Sequence, residues 1–586
     1  MTDLKSELET LRTIGGYCEA DEFGLIEVYG NDSGKFLQAQ TTNDTLSLSP
    51  SSSQPSCLLD RKAKLQAFFD LYRRHDSYRL IAEKRQVDEI ITHLDYYRVA
   101  DKVEFLDLTQ TGHFLALQGP RCRKVLHAGM QGTYRPSIFK SDVVDLRLWE
   151  ASVHLFRKSI TGEDGYLLWV TQRDWDKFRS TFTAVASEHG LVKMDAALRE
   201  TARVEAGLLQ YSVDFDKESF LPETGLDQLA VSYTKGCFLG QEVLARVRSQ
   251  GAPTRGLVGL MFPEGTTQTF KPGTAVEHEG EEIAIIKSNV FSPTFNTVIA
   301  IASAKRDYRV PGKTINATVH DTAFKLSVSL LPFYTAEPLR AKARRLYEQA
   351  LALYAKENDL GAQSQAVDLL HETLELDPVF EDGYEALGVI QSKRGHLDEA
   401  IELMKQLVEL NAESVMAHTN LSVFYVEKGW KDEAEEEKAV SVSIRMRLAM
   451  KETEKKPDQS KLDQEATETK QRMTMFKDVL AIDGEDLLAN YGVGSCHVAL
   501  TEFEQAVPFL KKAIEIKSTY TQAYLSLGKA YEGMGDLPEA MKTYELGVEV
   551  AAKRGDMTPL TEMQQHLTRL KAHSEARQTD TARKTS

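Results

Sequence analysis

Up to about residue 333, short runs of alternating apolar and polar positions are bounded by Gly, Pro, Asn or Asp. FGLIEVYG (23–30), SYRLIAEK (77–84), GYLLWV (165–170), GLVGLMF (256–262) and EEIAIIKSNVF (281–291) have this character, which predicts strands. Helical spacing alternates with them in RQVDEIITHLDYY (85–97) and MDAALRETARVEAG (194–207). The pattern predicts an α+β region over residues 1–250. A small all-β domain, a barrel or sandwich, is expected over 251–335, where the strands are separated by PEG, KPG and VPGK turns.

Beyond residue 340 the glycine-punctuated strands stop and helical periodicity takes over. Ala366, Ala400 and Ala434 follow each other at intervals of 34, as do Ala506 and Ala540. Tyr384, Leu387, Gly388, Gly395 and Ala400 recur, with the same internal spacing, as Tyr524, Leu527, Gly528, Gly535 and Ala540. This period resembles the tetratricopeptide repeat (TPR), with two helices per unit and small residues where they cross. One such pair cannot bury its apolar face alone, whereas a stack can. A plain helical bundle is the weaker alternative, because it does not account for position-matched repeats. The expectation is an all-α TPR solenoid over 340–565, interrupted by a polar insertion near 450–470 and followed by a disordered tail over 566–586. The resemblance implies a protein or peptide partner on the concave face.

Length and composition narrow the possibilities. A chain of 586 residues exceeds what one core supports. A formal charge of −16 argues against nucleic-acid and membrane-surface binding, which want a basic face. There is no apolar run long enough for a transmembrane helix, and MTDLKSELETLRTIGG lacks the features of a secretory signal. Five cysteines (Cys18, Cys57, Cys122, Cys237, Cys496) form no CxxC pair and no Cys/His cluster. That excludes a disulfide framework or zinc site held by this chain, and a cytoplasmic location is expected.

The densest chemistry lies in YTKGCFLGQEVLAR (233–246). Lys235, two positions before Cys237, and a helix starting at Gln241 would both lower a thiol pKa, so Cys237 is a candidate functional thiol with Lys235 beside it. The competing reading is a small buried residue in a tight connection. No histidine lies within ten residues, so a local Cys–His pair is not supported. Gly236 and Gly240 are read as turn formers. Gln241, Glu242 and Arg246 are candidate cofactor contacts, with helix capping as the alternative for Glu242.

Lys235, Gly236, Cys237, Phe238, Gly240, Gln241 and Glu242 resemble the signature of the YgfZ family, folate-binding relatives of the glycine-cleavage T-protein. VYGNDSGKFLQAQTTND (28–44), CLLDRKAKLQAFFDLYR (57–73), ITGEDGYLLWV (160–170) and RVEAGLLQYSVDFD (203–216) extend the likeness over about 300 residues. The resemblance implies a tetrahydrofolate cofactor, a pterin-facing Glu205, and a Cys237 on which function depends. It also implies support of iron–sulfur cluster assembly or repair, including enzymes that modify tRNA. On the hairpin at 57–73, Ala67 and Phe68 fall where the T-protein's adjacent aspartates are expected, and Asp60 and Asp70 stand residues away. That placement disfavours the alternative, a tetrahydrofolate-dependent aminomethyltransferase. A TPR scaffold with a vestigial folate lobe is the second alternative. Ala63 occupies a turn position where glycine would be usual, so that turn is expected to be remodelled.

Overall fold

The structure, a computed structural model, describes residues 2–130, 136–250, 253–355, 360–454, 459–554, 556 and 558–570. The chain opens with helix α1 (Thr2–Thr13), β1 (Gly16–Glu19), β2 (Phe23–Tyr29) and α2 (Ser33–Gln40). Then come β3 (Ser53–Leu59), β4 (Leu65–Arg73), β5 (Ser77–Glu83), α3 (Val87–Tyr97), β6 (Glu104–Asp107) and β7 (Gly112–Gln118). The lobe continues through α4 (Cys122–Gly129), β8 (Val143–Leu148), β9 (Ala151–Arg157), β10 (Gly165–Thr171), α5 (Trp175–Glu188), β11 (Val192–Lys193) and α6 (Ala196–Glu205). Three short helices close it: α7 (Leu221–Thr224), α8 (Asp227–Ala230) and α9 (Gln241–Gln250).

Two sheets result, one ordered β3-β4-β5-β2-β6 and the other β11-β1-β7-β10-β9-β8. β10 is buried along nearly its whole length because it lies between β7 and β9 in the middle of its sheet. β4 alternates instead. Leu65, Ala67, Phe69 and Leu71 are buried, whereas Gln66, Phe68 and Asp70 are only half-buried. The period-two geometry of a strand therefore sends Phe68 and Asp70 to one face together.

Six strands from β12 (Arg255–Met261) to β17 (Thr322–Ser329) close into a barrel. Its interior holds Val258, Leu260, Val276, Ile286, Leu326 and Val328, the inward members of the alternating runs.

The rest is helical, from α10 (Leu339–Tyr354) and α11 (Leu360–Leu376) to α19 (Thr521–Gly533) and α20 (Leu537–Arg554). The repeated alanines are almost fully buried, at 0 to 3% exposure, and Gly388 and Gly528 explain the small-residue rule. A Cβ on Gly388 would lie 2.4 Å from Met404, and one on Gly528 would lie 2.2 Å from Tyr544. The polar run near 450–470 falls on two long helices, α15 (Lys431–Glu454) and α16 (Gln459–Ile482), with 455–458 outside the described residues.

One boundary differs from expectation. Residues 558–570 form a further helix, α21, so the tail does not begin at 566. Leu560, Met563, Leu567 and Leu570, spaced by three and four, bury against the last repeat and cap its apolar face. Residues 571–586 lie outside the described residues. Among the described residues no helix is long and apolar enough to cross a membrane.

The helical half touches the rest at both ends. At one end Arg123 on α4 donates to the Leu376 carbonyl, Lys124 pairs with Glu375 at 2.5 Å, and Lys140 donates to the Leu410 carbonyl at 3.0 Å. At the other end Val310 and Leu330 of the barrel domain pack against the apolar cluster of the last repeats.

Candidate functional site

A cavity of about 1040 Å³ opens between the two sheets. β4 supplies Phe68, Asp70 and Tyr72 to its wall, and β2 supplies Phe23. α6 contributes Ala196, Arg199, Glu200 and Arg203, which recur at i, i+3, i+4 and i+7 and so share one helical face. The segment after α6 adds Leu208, Leu209 and Gln210. Aromatic and leucine surface is thus interleaved with charge, the composition of a site for a flat organic ligand with polar edges.

The charges are mostly paired. Asp70 pairs with Lys158, and Glu22 with Arg199. Arg203 grips Glu200 with two bonds, at 2.8 and 2.7 Å. Glu83 holds Arg85 at 2.6 Å, and Arg157 reaches Asp164 at 3.2 Å. Lys84 alone among the lining cations has no carboxylate within 4.0 Å among the described residues. An anionic ligand end would neutralise it.

Glu205 is not part of this wall. It is fully buried, accepting from Arg12, from Ser292 and, at 2.9 Å, from Thr294, the last two on the barrel side. Its backbone carbonyl accepts from Tyr334 at 2.8 Å, and the Arg12 guanidinium lies 3.5 Å from the Tyr334 ring centre. The expected pterin-facing carboxylate is therefore a structural ion pair fastening α6 to α1, the barrel and the connection to the helical half. Five residues of helix turn it about 140° from Glu200, the α6 carboxylate that does face the cavity. The sequence reading passes over Glu200, although helical spacing is the signal that could have found it.

The signature loop stands behind the cavity. Lys235 is buried, and its ammonium donates to the carbonyls of Gln38, Thr41 and Asn43 at 2.6, 2.5 and 3.0 Å. These carbonyls lie at and just beyond the end of α2, where helix carbonyls lack partners and the dipole favours a cation. Burial pulls the Lys235 pKa down to about 8. The ammonium is committed to backbone rather than to Cys237, so the expected Lys235–thiol partnership has no geometric basis.

Phe238 is buried with Cys57, Leu59, Leu65 and Phe215. Gly240 has φ +82°, and a Cβ there would lie 2.8 Å from the Asp60 carbonyl, so the glycine serves both its turn and close packing on the β3–β4 hairpin. Gly236 has nothing near its missing Cβ and is not at positive φ. In the hairpin, Asp60 accepts from the backbone of Lys62 and Lys64 at 2.8 and 2.9 Å, and Ala63 takes the strained φ of +59°. Cys237 is exposed, while the other four cysteines are buried and free, with burial pushing the Cys18 thiol up to about 11. Gln241 is half-buried and Glu242 and Arg246 are exposed on α9; none of the three lines the cavity. No group of three or more His, Cys, Asp or Glu among the described residues could hold a metal ion.

Comparison with known proteins places this geometry. Residues 1–235 match the GCVT N-terminal domain, residues 255–335 the glycine cleavage T-protein C-terminal barrel domain, and residues 382–414, 488–520 and 521–554 the tetratricopeptide repeat. An aminomethyltransferase of Halalkalibacterium halodurans is 28% identical over 335 residues, covering 57% of this chain and 90% of its own. One from Anoxybacillus flavithermus is 29% identical over 340 residues, with 57% and 91% covered. The crystal structure of glycine cleavage system aminomethyltransferase T from Bartonella henselae has the same fold over 57% of this chain and 90% of its own, at a TM-score of 0.50 and 22% identity. The chain thus joins a GCVT N-terminal domain and its T-protein C-terminal barrel to an array of tetratricopeptide repeats.

Proposed function

We propose that the cavity binds a tetrahydrofolate-type cofactor and that the protein is a folate-dependent accessory factor for iron–sulfur enzymes, including those that modify tRNA, in a reducing cytoplasm. The observation carrying this reading is Phe68. It occupies the cavity wall where the resemblance to the T-protein calls for an aspartate, and a phenyl ring neither carries charge nor moves a proton. The cavity fits the cofactor in size and character, at the upper end of the roughly 300–1,000 Å³ of ligand sites. Phe23, Phe68 and Tyr72 would meet the faces of a pterin. Glu200 would accept from its N–H edge with the lone pairs that Arg203 leaves open, and Lys84 would meet the carboxylates of the glutamyl end. Tetrahydrofolate itself supplies a carrier for a one-carbon unit. The helical array recruits a protein or peptide partner, as stacked repeats with a concave face commonly do. Cys237, exposed on the loop behind the wall, is the thiol available to a partner.

Asp70 favours a second reading, tetrahydrofolate-dependent aminomethyl transfer, the activity for which the relatives are named. It is a carboxylate in the same cavity, paired with Lys158. Titrating the purified full chain with tetrahydrofolate tests the shared premise; absence of binding would leave the helical scaffold as the working part. Turnover of an aminomethylated carrier protein would overturn the accessory reading in favour of the second.

A further inference from the structure

Asp164 joins a cavity residue to the arginine that holds the helical half. Its Oδ1 accepts from Arg157, a cavity residue, at 3.2 Å, and its Oδ2 accepts from Arg123 at 2.9 Å. Arg123 is buried and held by four groups: Asp164, the Tyr166 hydroxyl at 3.2 Å, the Leu376 carbonyl and the Asp377 carboxylate at 3.7 Å. The last two stand where α11 ends and its following turn begins, in the first repeat. That turn is itself shared, since Val379 packs against both the core of the six-stranded sheet and the core of the first repeats.

Asp164 also sits on the loop that carries Lys158, Ser159 and Ile160 into the cavity wall. Its neighbour Glu163 accepts from the Tyr334 hydroxyl at 2.9 Å, on the connection into the helical half. A buried arginine with several partners is costly to displace, so Arg123 moves only with the turn that holds it.

We propose that the first helical repeat is a working part of the ligand site: the Leu376–Asp377 turn, acting through Arg123 and Asp164, positions Arg157 and thereby sets the affinity of the cavity for an anionic ligand. Arg123 and Asp164 are positioning residues. The inference rests on the cavity being a tetrahydrofolate site. Its thermodynamic corollary is reciprocal, because a ligand that bears on Arg157 must also bear on the turn.

The test uses the full chain and tetrahydrofolate. In the wild type, ligand is expected to slow amide hydrogen exchange across 371–377. Asp164→Asn is expected to weaken binding by roughly fivefold or more and to abolish that slowing. Asp377→Asn, a change confined to the helical side, is the second variant, expected to weaken binding roughly threefold in a protein that remains folded. Lys124→Ala breaks an exposed ion pair at the same interface and is expected to leave affinity unaltered. Absence of binding by the wild type would overturn the folate reading itself. Binding with no slowing at 371–377, and with both Asp variants within about twofold of wild type, would overturn this inference while leaving that reading intact.

Discussion

Asp70 stands two residues beyond Phe68 on β4, and both side chains face the same cavity. A carboxylate is therefore present in the site, displaced by one strand repeat of roughly 6.5 Å from where the T-protein resemblance puts it, and tied to Lys158. Replacing Asp70 with Asn frees Lys158 for an anionic ligand. If the protein only binds tetrahydrofolate, affinity should rise by roughly threefold, about 0.6 kcal/mol, as for a partly exposed charge. Loss of a measurable methylene transfer in the same variant would instead identify Asp70 as the group that works.

Glu200, and not the expected Glu205, is the α6 carboxylate that faces the cavity. Glu205→Gln removes the nearer of Arg12's two buried carboxylates, leaving Glu163 at 3.9 Å, and should cost about 3 kcal/mol in urea unfolding. Glu200→Gln removes a half-exposed pair and should cost at most about 1 kcal/mol, yet it should weaken tetrahydrofolate binding more than tenfold if its carboxylate accepts from the pterin, a charge-assisted bidentate contact. Equal loss of affinity in a folded Glu205→Gln protein would contradict this assignment.

Lys235 supplies a pH signature. Its folded pKa of about 8 lies below the ordinary 10.5, so between these values the unfolded chain binds a proton that the folded chain does not. The lysine's contribution to stability therefore rises with pH through that window, and its burial penalty is fully present below pH 8. The difference in unfolding free energy between wild type and Lys235→Met should widen from pH 8 to 10. A flat difference would show that the amine titrates normally. At pH 7 the variant should be less stable by roughly 2–4 kcal/mol, since three carbonyls lose their donor.

Cys237 should be the fast thiol. A colorimetric thiol reagent is expected to find one rapid equivalent in the native protein and five after denaturation, because the other four cysteines are buried. Cys237→Ala should change stability by less than about 0.5 kcal/mol, as an exposed position does, while lowering iron–sulfur enzyme activity in cells if the accessory reading holds.

Ala63 adopts φ +59° in a buried turn. Ala63→Gly should relieve roughly 1 kcal/mol of left-handed strain, read as a higher midpoint in urea.

What was legible in the sequence follows physical lines. Ala400 and Gly388 could be placed because helix crossings admit only small residues, and a period of 34 repeats that demand visibly. That the Ala63 position asks for a left-handed residue was legible, because one dihedral depends on one residue, but the expected remodelling does not occur: the turn keeps φ +59° with alanine in it. Asp70 and Glu200 were not singled out, although strand and helix periods point to them, because which face meets a cavity is decided by the opposing elements. The partner of Lys235 was invisible for a different reason: a backbone carbonyl nearly 200 positions away leaves no mark on sequence. The Arg123 contact with Leu376 is of the same kind.

The helical half is anchored by its first repeat to the sheet lobe and by its last to the barrel domain. Mechanically it is an arch with two fixed feet rather than an arm with a free end. A partner that tightens or flattens its curvature cannot be accommodated by swinging the far end, so the deformation must appear as torque between lobe and barrel. Glu205 stands in that joint, on the same helix whose opposite face lines the cavity.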